Sequence, residues 1–120
     1  MEDFSLPYGD ASLHFTRYGT GEQVVLLFHG FGQHRSVFDA WAQGLGSRYT
    51  IYAVDLFFHG ESTWPMRYPV EKKHWRDIID TFLNERQIER FQVGGFSMGA
   101  RFAMVTFQLF PTRVDRLLLL

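Results

Sequence analysis

Gly95-Phe96-Ser97-Met98-Gly99 constrains this chain more than any other stretch, because it joins two segments of different periodicity across a single residue. Phe91 to Phe96 is a short apolar run with β-branched and aromatic residues. From Met98 to about Phe110 apolar positions recur at helical spacing until Pro111 ends the pattern. A strand that reverses into a helix over one residue forces that residue into strained backbone angles and lifts its side chain clear of the turn. The positions two before and two after must be small, or their Cβ atoms collide with the neighbouring strand and helix. Gly95, Gly99 and also Ala100 meet that demand. The helix aims its free N–H groups and positive dipole end at Ser97, which favours negative charge there. A glycine-serine turn before a helix is also a common N-cap, and the pattern alone does not separate the two roles.

The flanking segments extend this alternation along the chain. Phe4–Tyr8 and Ser12–Tyr18 read as a hairpin around Gly9-Asp10, with Leu13 and Phe15 alternating with His14 and Thr16. Val24–Phe28 and Thr50–Val54 are continuous apolar runs, the signature of strands buried on both faces of a parallel sheet. Between them, Ser36 is expected to cap a helix from Val37 to Leu45 that places Val37, Phe38, Trp41 and Leu45 on one face, with Gly46 as its stop. Residues 56–69 read as loop. Val70–Gln87 is the longest helical pattern, with Trp75, Ile78, Ile79, Phe82 and Leu83 as its apolar stripe. Val114–Leu120 reads as a last strand. Strands alternating with helices predict right-handed crossovers and an α/β fold: a mostly parallel sheet with helices on both faces, in a single domain over residues 1–120.

Composition narrows the function. Charged residues are 21% of the chain and the net charge is −1, with basic residues scattered, so no nucleic-acid partner and no anionic-membrane patch is expected. No apolar run is long enough to span a bilayer, and the start Met1-Glu2-Asp3 has no apolar leader core, so membrane insertion and secretion are not expected and a cytoplasmic location is. Cysteine is absent, which excludes disulfides and thiol chemistry. No histidine and carboxylate spacing suits a metal, and no phosphate loop or dinucleotide fingerprint occurs. Neither metal nor cofactor is therefore expected. Aromatics reach 18%, thirteen of them phenylalanines, enough for an apolar pocket as well as a core.

Two further segments bear on Ser97. Attack by a serine on a carbonyl builds an oxyanion, which needs two backbone N–H groups already aimed at it. One comes from the residue after the nucleophile, Met98. The other comes from the loop after a neighbouring strand, His29-Gly30-Phe31-Gly32, with Phe31 the expected donor. His29 and Gly30 are placed at the substrate pocket, although a plain strand-end turn reads the same way. The third segment is Asp55-Leu56-Phe57-Phe58-His59-Gly60-Glu61-Ser62, at a sheet end where ligands bind in open α/β sheets. Phe57, Phe58 and Trp64 line a substrate pocket or pack under the loop, and His59 fixes the loop or acts as a base. His14, His34 and His74 read as solvated.

The three segments in this order resemble the amino-terminal half of an α/β-hydrolase, over essentially the whole chain. Within that family the chain is most similar to small esterases, carbon–carbon bond hydrolases and related acyl-transfer or lyase members. The resemblance implies Ser97 as nucleophile and the Phe31 and Met98 amides as oxyanion donors, acting on a small-molecule ester or other carbonyl substrate. One departure is that the family's loop has glycine before its histidine, where this chain has Phe58. Another concerns the acid and histidine, which in this family follow the serine. After Ser97 the chain has only Asp115, ahead of the last strand, and no histidine. The expectation is a longer hydrolase whose acid, histidine and lid lie beyond residue 120, the 120 residues alone being inactive and poorly soluble. The competing expectation is a non-catalytic ligand-binding or interaction protein on the same fold. Oligomeric state is not legible.

Overall fold

A computed structural model describes all residues 1–120. It contains β1 (Glu2–Tyr8), β2 (Ala11–Tyr18), β3 (Gln23–Phe28), a 3₁₀ turn (Arg35–Phe38), α1 (Asp39–Gln43), β4 (Tyr49–Asp55), α2 (Lys72–Glu85), β5 (Phe91–Gly95), α3 (Met98–Leu109) and β6 (Val114–Leu119). The strands form one sheet in the order β1-β2-β4-β3-β5-β6. The hairpin partner β2 meets β4 antiparallel, and β4, β3, β5 and β6 run parallel. The expected α/β fold is therefore the observed one.

After β3 the chain steps outward to β4 on one side, then crosses back over β3 to β5 and β6 on the other. The carboxyl ends of β3 and β5 thus flank the point where strand order reverses, the place where open α/β sheets bind ligands. Both segments that matter, His29 onward and Ser97 onward, leave the sheet there.

The two faces are unequally covered. Under α2 and α3 lies a core of 22 buried residues, whereas only 7 cluster under α1, so α2 and α3 carry most of the burial. The stripe Trp75, Ile78, Ile79, Phe82 and Leu83 is buried as its spacing predicts. Trp75 also donates from its indole N–H to Thr106 on α3, 2.9 Å away, which satisfies its one polar atom inside the core.

Two local expectations are corrected. The predicted helix over 37–45 is a 3₁₀ turn followed by a five-residue helix that stops before Gly44, not at Gly46. His34 precedes the turn and Ser36 lies inside it. Ser36 Oγ meets His34 Nδ1 at 2.7 Å rather than capping a helix. The tighter pitch turns Phe38 and Ala42 inward and leaves Val37 and Trp41 exposed. His74 is not solvated. Its Nδ1 accepts the Glu71 backbone N–H at 2.9 Å while the Glu71 carboxylate accepts the His74 N–H, a capping box that starts α2.

Candidate active site at the β5–α3 junction

β5 ends at Gly95 and α3 begins at Met98, so two residues make the turn. The Phe96 N–H donates to the Phe28 carbonyl at 3.1 Å, tying the junction to the end of β3. Ser97 takes φ 56° and ψ −116°, a sparsely populated region that costs a non-glycine residue about 1–3 kcal/mol. Its side chain is exposed and makes no capping hydrogen bond, so the N-cap use of this hydroxyl does not occur. A Cβ on Gly95 would sit 2.0 Å from the Gly99 carbonyl oxygen, and one on Gly99 would sit 2.1 Å from that of Phe28. Both sites therefore admit only hydrogen.

The loop after β3 comes against this turn. A Cβ on Gly30 would lie 3.0 Å from the Phe96 ring, so the two segments are in contact. Gly30 N–H donates to Gln33 Oε1 at 2.8 Å, and Gln33 N–H returns to the Gly30 carbonyl at 3.1 Å. That reciprocal pair closes the turn and leaves the Phe31 amide with no carbonyl partner. The Met98 amide, at the first position of α3, also has none. Phe31 itself is 80% exposed.

His29 is fully buried and does not line a pocket, which corrects its expected place. Its Nδ1 donates to the Gly30 carbonyl at 2.7 Å and its Nε2 accepts the Leu56 N–H at 3.0 Å. Both ring nitrogens are spent, Nδ1 within the β3 loop and Nε2 on joining that loop to the β4 loop. Burial lowers its pKa, the Gly30 carbonyl opposing that shift. Protonation would turn Nε2 into a donor facing a donor. Because the folded pKa lies below the unfolded one, the imidazole's contribution is present above about pH 6.5 and is lost as pH falls through the folded value. Urea melts at pH 7.5 and 5.5 should show wild type losing more stability on acidification than His29→Gln. Equal losses would remove His29 from the pH response.

The expected pocket walls also move inward. Gly30 is buried behind Phe31 and against Phe96. Phe57 and Trp64 are 5% and 6% exposed and pack on each other, with ring centroids 5.1 Å apart. Packing under the loop is therefore their role, and only Phe58, 70% exposed, remains on the open side. His59 is half-buried, its Nδ1 3.1 Å from the Phe57 carbonyl and its ring edge-on to Phe31.

Phe58 occupies φ 71°, the left-handed region that a glycine adopts freely. The loop keeps the turn and bears the cost of a side chain in it, about 1–2 kcal/mol. Exposure of the ring leaves little packing to offset that cost. Phe58→Gly is expected to raise the thermal midpoint by a few degrees, from about 0.5–1 kcal/mol of net stabilisation after glycine's greater unfolded-state freedom is counted. A lowered midpoint would show that the ring is held by contacts worth more than the strain.

Sequence reading missed Arg35 because nothing in its local pattern marks it. Its backbone N–H and guanidinium both bind the fully buried Asp55 carboxylate, and its Nε donates to Thr16 at 2.8 Å. Asp55 also accepts the Glu61 N–H at 2.8 Å, and Ser62 Oγ donates to the Asp55 carbonyl at 2.6 Å. The Asp…His-Gly-x-Ser segment is thus a pinned loop supporting the β3 turn. Asp115 lies far from this end of the sheet, at the start of β6, where it accepts from Arg90 Nε at 2.8 Å. No imidazole or carboxylate hydrogen-bonds Ser97.

A family model described as alpha/beta hydrolase fold matches residues 23–120. The chain is 30% identical over 112 residues to a pimeloyl-acyl-carrier-protein methyl ester esterase of Nitrosomonas europaea, covering 91% of this chain and 40% of that protein. It is 33% identical over 96 residues to an uncharacterised Mycobacterium tuberculosis protein, covering 80% of this chain and 28% of that one. Among solved structures, the thioesterase domain from the curacin biosynthetic pathway superposes with a TM-score of 0.85 at 28% identity, over 100% of this chain and 46% of that domain. The chain therefore spans less than half the length of each of these relatives.

Proposed function

Because the chain belongs to the α/β-hydrolase fold family, we propose that it carries the nucleophile and oxyanion donors of a serine hydrolase or acyl transferase acting on a small ester or related carbonyl substrate. The observation that carries this reading is the Ser97 hydroxyl: exposed, free of any capping bond, and held at φ 56° on the amino end of α3. Nothing in the packing of a strand–helix junction requires a serine in that conformation, and strain of this kind concentrates at reacting groups.

In the proposed reaction Ser97 Oγ attacks the substrate carbonyl carbon while its proton passes to a general base. The oxyanion is received by the Met98 and Phe31 amides. The ester C–O bond then breaks, the alcohol leaves with a proton, and water or a second alcohol resolves the acyl-enzyme. The relatives are more than twice as long, and the proposal takes the base and its orienting acid from polypeptide outside these 120 residues. A ligand-binding protein without turnover is the second reading, favoured by the lack of any base bonded to Ser97.

Covalent capture separates the two. The protein is treated with a fluorophosphonate, with and without added imidazole as a substitute base, and the adduct is located by peptide mass mapping. A Ser97 adduct whose rate rises with imidazole is expected. No adduct, or one at another residue, would sink the enzymatic reading.

A further inference from the structure

A trough of about 200 Å³ opens one helical turn from Ser97, between the start of α2 and the first turns of α3. Val70, Trp75, Phe102 and Val105 form its apolar floor, and Lys72 and Arg101 stand at its rim. Arg101 is four residues after Ser97, about one turn into α3, and helical side chains lean toward the amino end, here the end that carries the serine. Neither Arg101 nor Lys72 has a carboxylate partner or donates a side-chain hydrogen bond; Arg48, Arg67 and Arg116 are also unpaired, but Arg101 and Lys72 are the two cations that line this trough. Glu71, the acid in the trough, is engaged in capping α2 and lies 3.5 Å from Lys73.

We propose that this trough selects substrates whose reacting ester is joined through a short apolar stem to a carboxylate, with the stem on the Trp75–Phe102 floor and the carboxylate on Arg101, assisted by Lys72. A planar guanidinium takes a carboxylate through two parallel hydrogen bonds, and an apolar floor on one side of the pair weakens solvent screening. The volume falls below the roughly 300–1,000 Å³ of a complete ligand site, which suits one arm of a substrate rather than the whole of it. A solvated pair of surface cations would attract any anion, but weakly and without using the apolar stem. The assignment of this anion site as a selector rests on Ser97 being the reacting group, but binding to the trough can be measured without any reaction.

The test is an NMR titration of the isotopically labelled full-length protein with monomethyl adipate and, separately, with neutral dimethyl adipate, following the Trp75 indole and Val105 methyl signals. At low salt the monoanion is expected to bind at least about fivefold more tightly than the diester. Arg101→Met should abolish that preference while leaving diester binding in place, Arg101→Lys should retain part of it, and Lys72→Met should reduce it. Added salt should weaken the preference. Ser97→Ala should leave it unchanged. Equal binding of the two probes, no saturable shift of the trough signals, or a preference that survives Arg101→Met would overturn the proposal. If Arg101→Met fails to fold, Lys72→Met and Arg101→Lys carry the comparison. A phosphonate adduct at Ser97 with no charge preference would refute this site alone, and a charge preference with no adduct would refute the enzymatic reading alone.

Discussion

Gly99→Ala is expected to leave the protein unfolded or nearly so at 25 °C. The added Cβ would lie 2.1 Å from the Phe28 carbonyl oxygen and 2.4 Å from that of His29, distances that no rotamer change relieves because both atoms are backbone. Neither carbonyl is free to retreat. The Phe28 oxygen accepts the Phe96 N–H, and His29 is buried with both ring nitrogens bonded. The remaining relief is for α3 to lift from the sheet, which would separate Ala103, fully buried, from its neighbours and break the Trp75–Thr106 hydrogen bond. Losses of that kind exceed about 4 kcal/mol, a large fraction of the 5–15 kcal/mol that holds a domain together. Gly95→Ala makes the mirror-image clash, 2.0 Å from the Gly99 oxygen, and should behave alike. Gly44→Ala is the control: its nearest neighbour would be 3.8 Å away, and a change within about 0.5 kcal/mol is expected. Far-UV circular dichroism and urea melts of the three variants decide the matter. A Gly99→Ala protein with a wild-type midpoint would mean that the strand and helix do not approach as described.

Ser97→Ala should do the opposite, abolishing reactivity while sparing the fold. The hydroxyl makes no hydrogen bond within the protein, so its removal leaves no buried group unpaired. The strain at φ 56° belongs to the backbone and is similar for alanine, so the melting midpoint should shift by less than about 0.5 kcal/mol equivalent. Fluorophosphonate capture should vanish, because the attacked phosphorus has no other nucleophile at the amino end of α3. Any ester turnover should fall to background. In serine hydrolases whose nucleophile, base and acid act as one unit, loss of the serine costs on the order of 10⁶ in kcat. Wild-type labelling in Ser97→Ala would assign the nucleophile elsewhere. A large drop in stability would mean that the hydroxyl serves packing, and would favour the ligand-binding reading.

The strand and helix order is legible in the sequence, because two periods, 2 for strands and 3.6 for helices, are written locally. β3, β4, β5, α2 and α3 fall within two residues of their expected bounds. Only α1 departs, where a short polar-apolar mix permits a 3₁₀ turn as readily as a helix. The elbow was legible for a different reason. Its requirement is steric and acts between residues two apart, so the chain itself states it.

Exposure was decided by the tertiary structure. His29, Phe57 and Trp64 sit in segments that point at the site, yet all three face inward: His29 bridges the β3 and β4 loops, and Phe57 and Trp64 pack on each other and on Trp75 and His74 of α2. The Arg35–Asp55 pair joins residues twenty apart that no periodicity relates. Arg101 reads from sequence as one more solvated cation on a helix. The approach of α2, which brings Val70 and Trp75 against Phe102 and Val105 while Glu71 caps the helix, gives it a trough to guard. Sequence determines what is settled by neighbours along the chain: element type, the small residues around Ser97, and the turn that lifts it. Which polar groups are spent on one another, and which are left facing an opening, depends on elements that meet only after the sheet has formed.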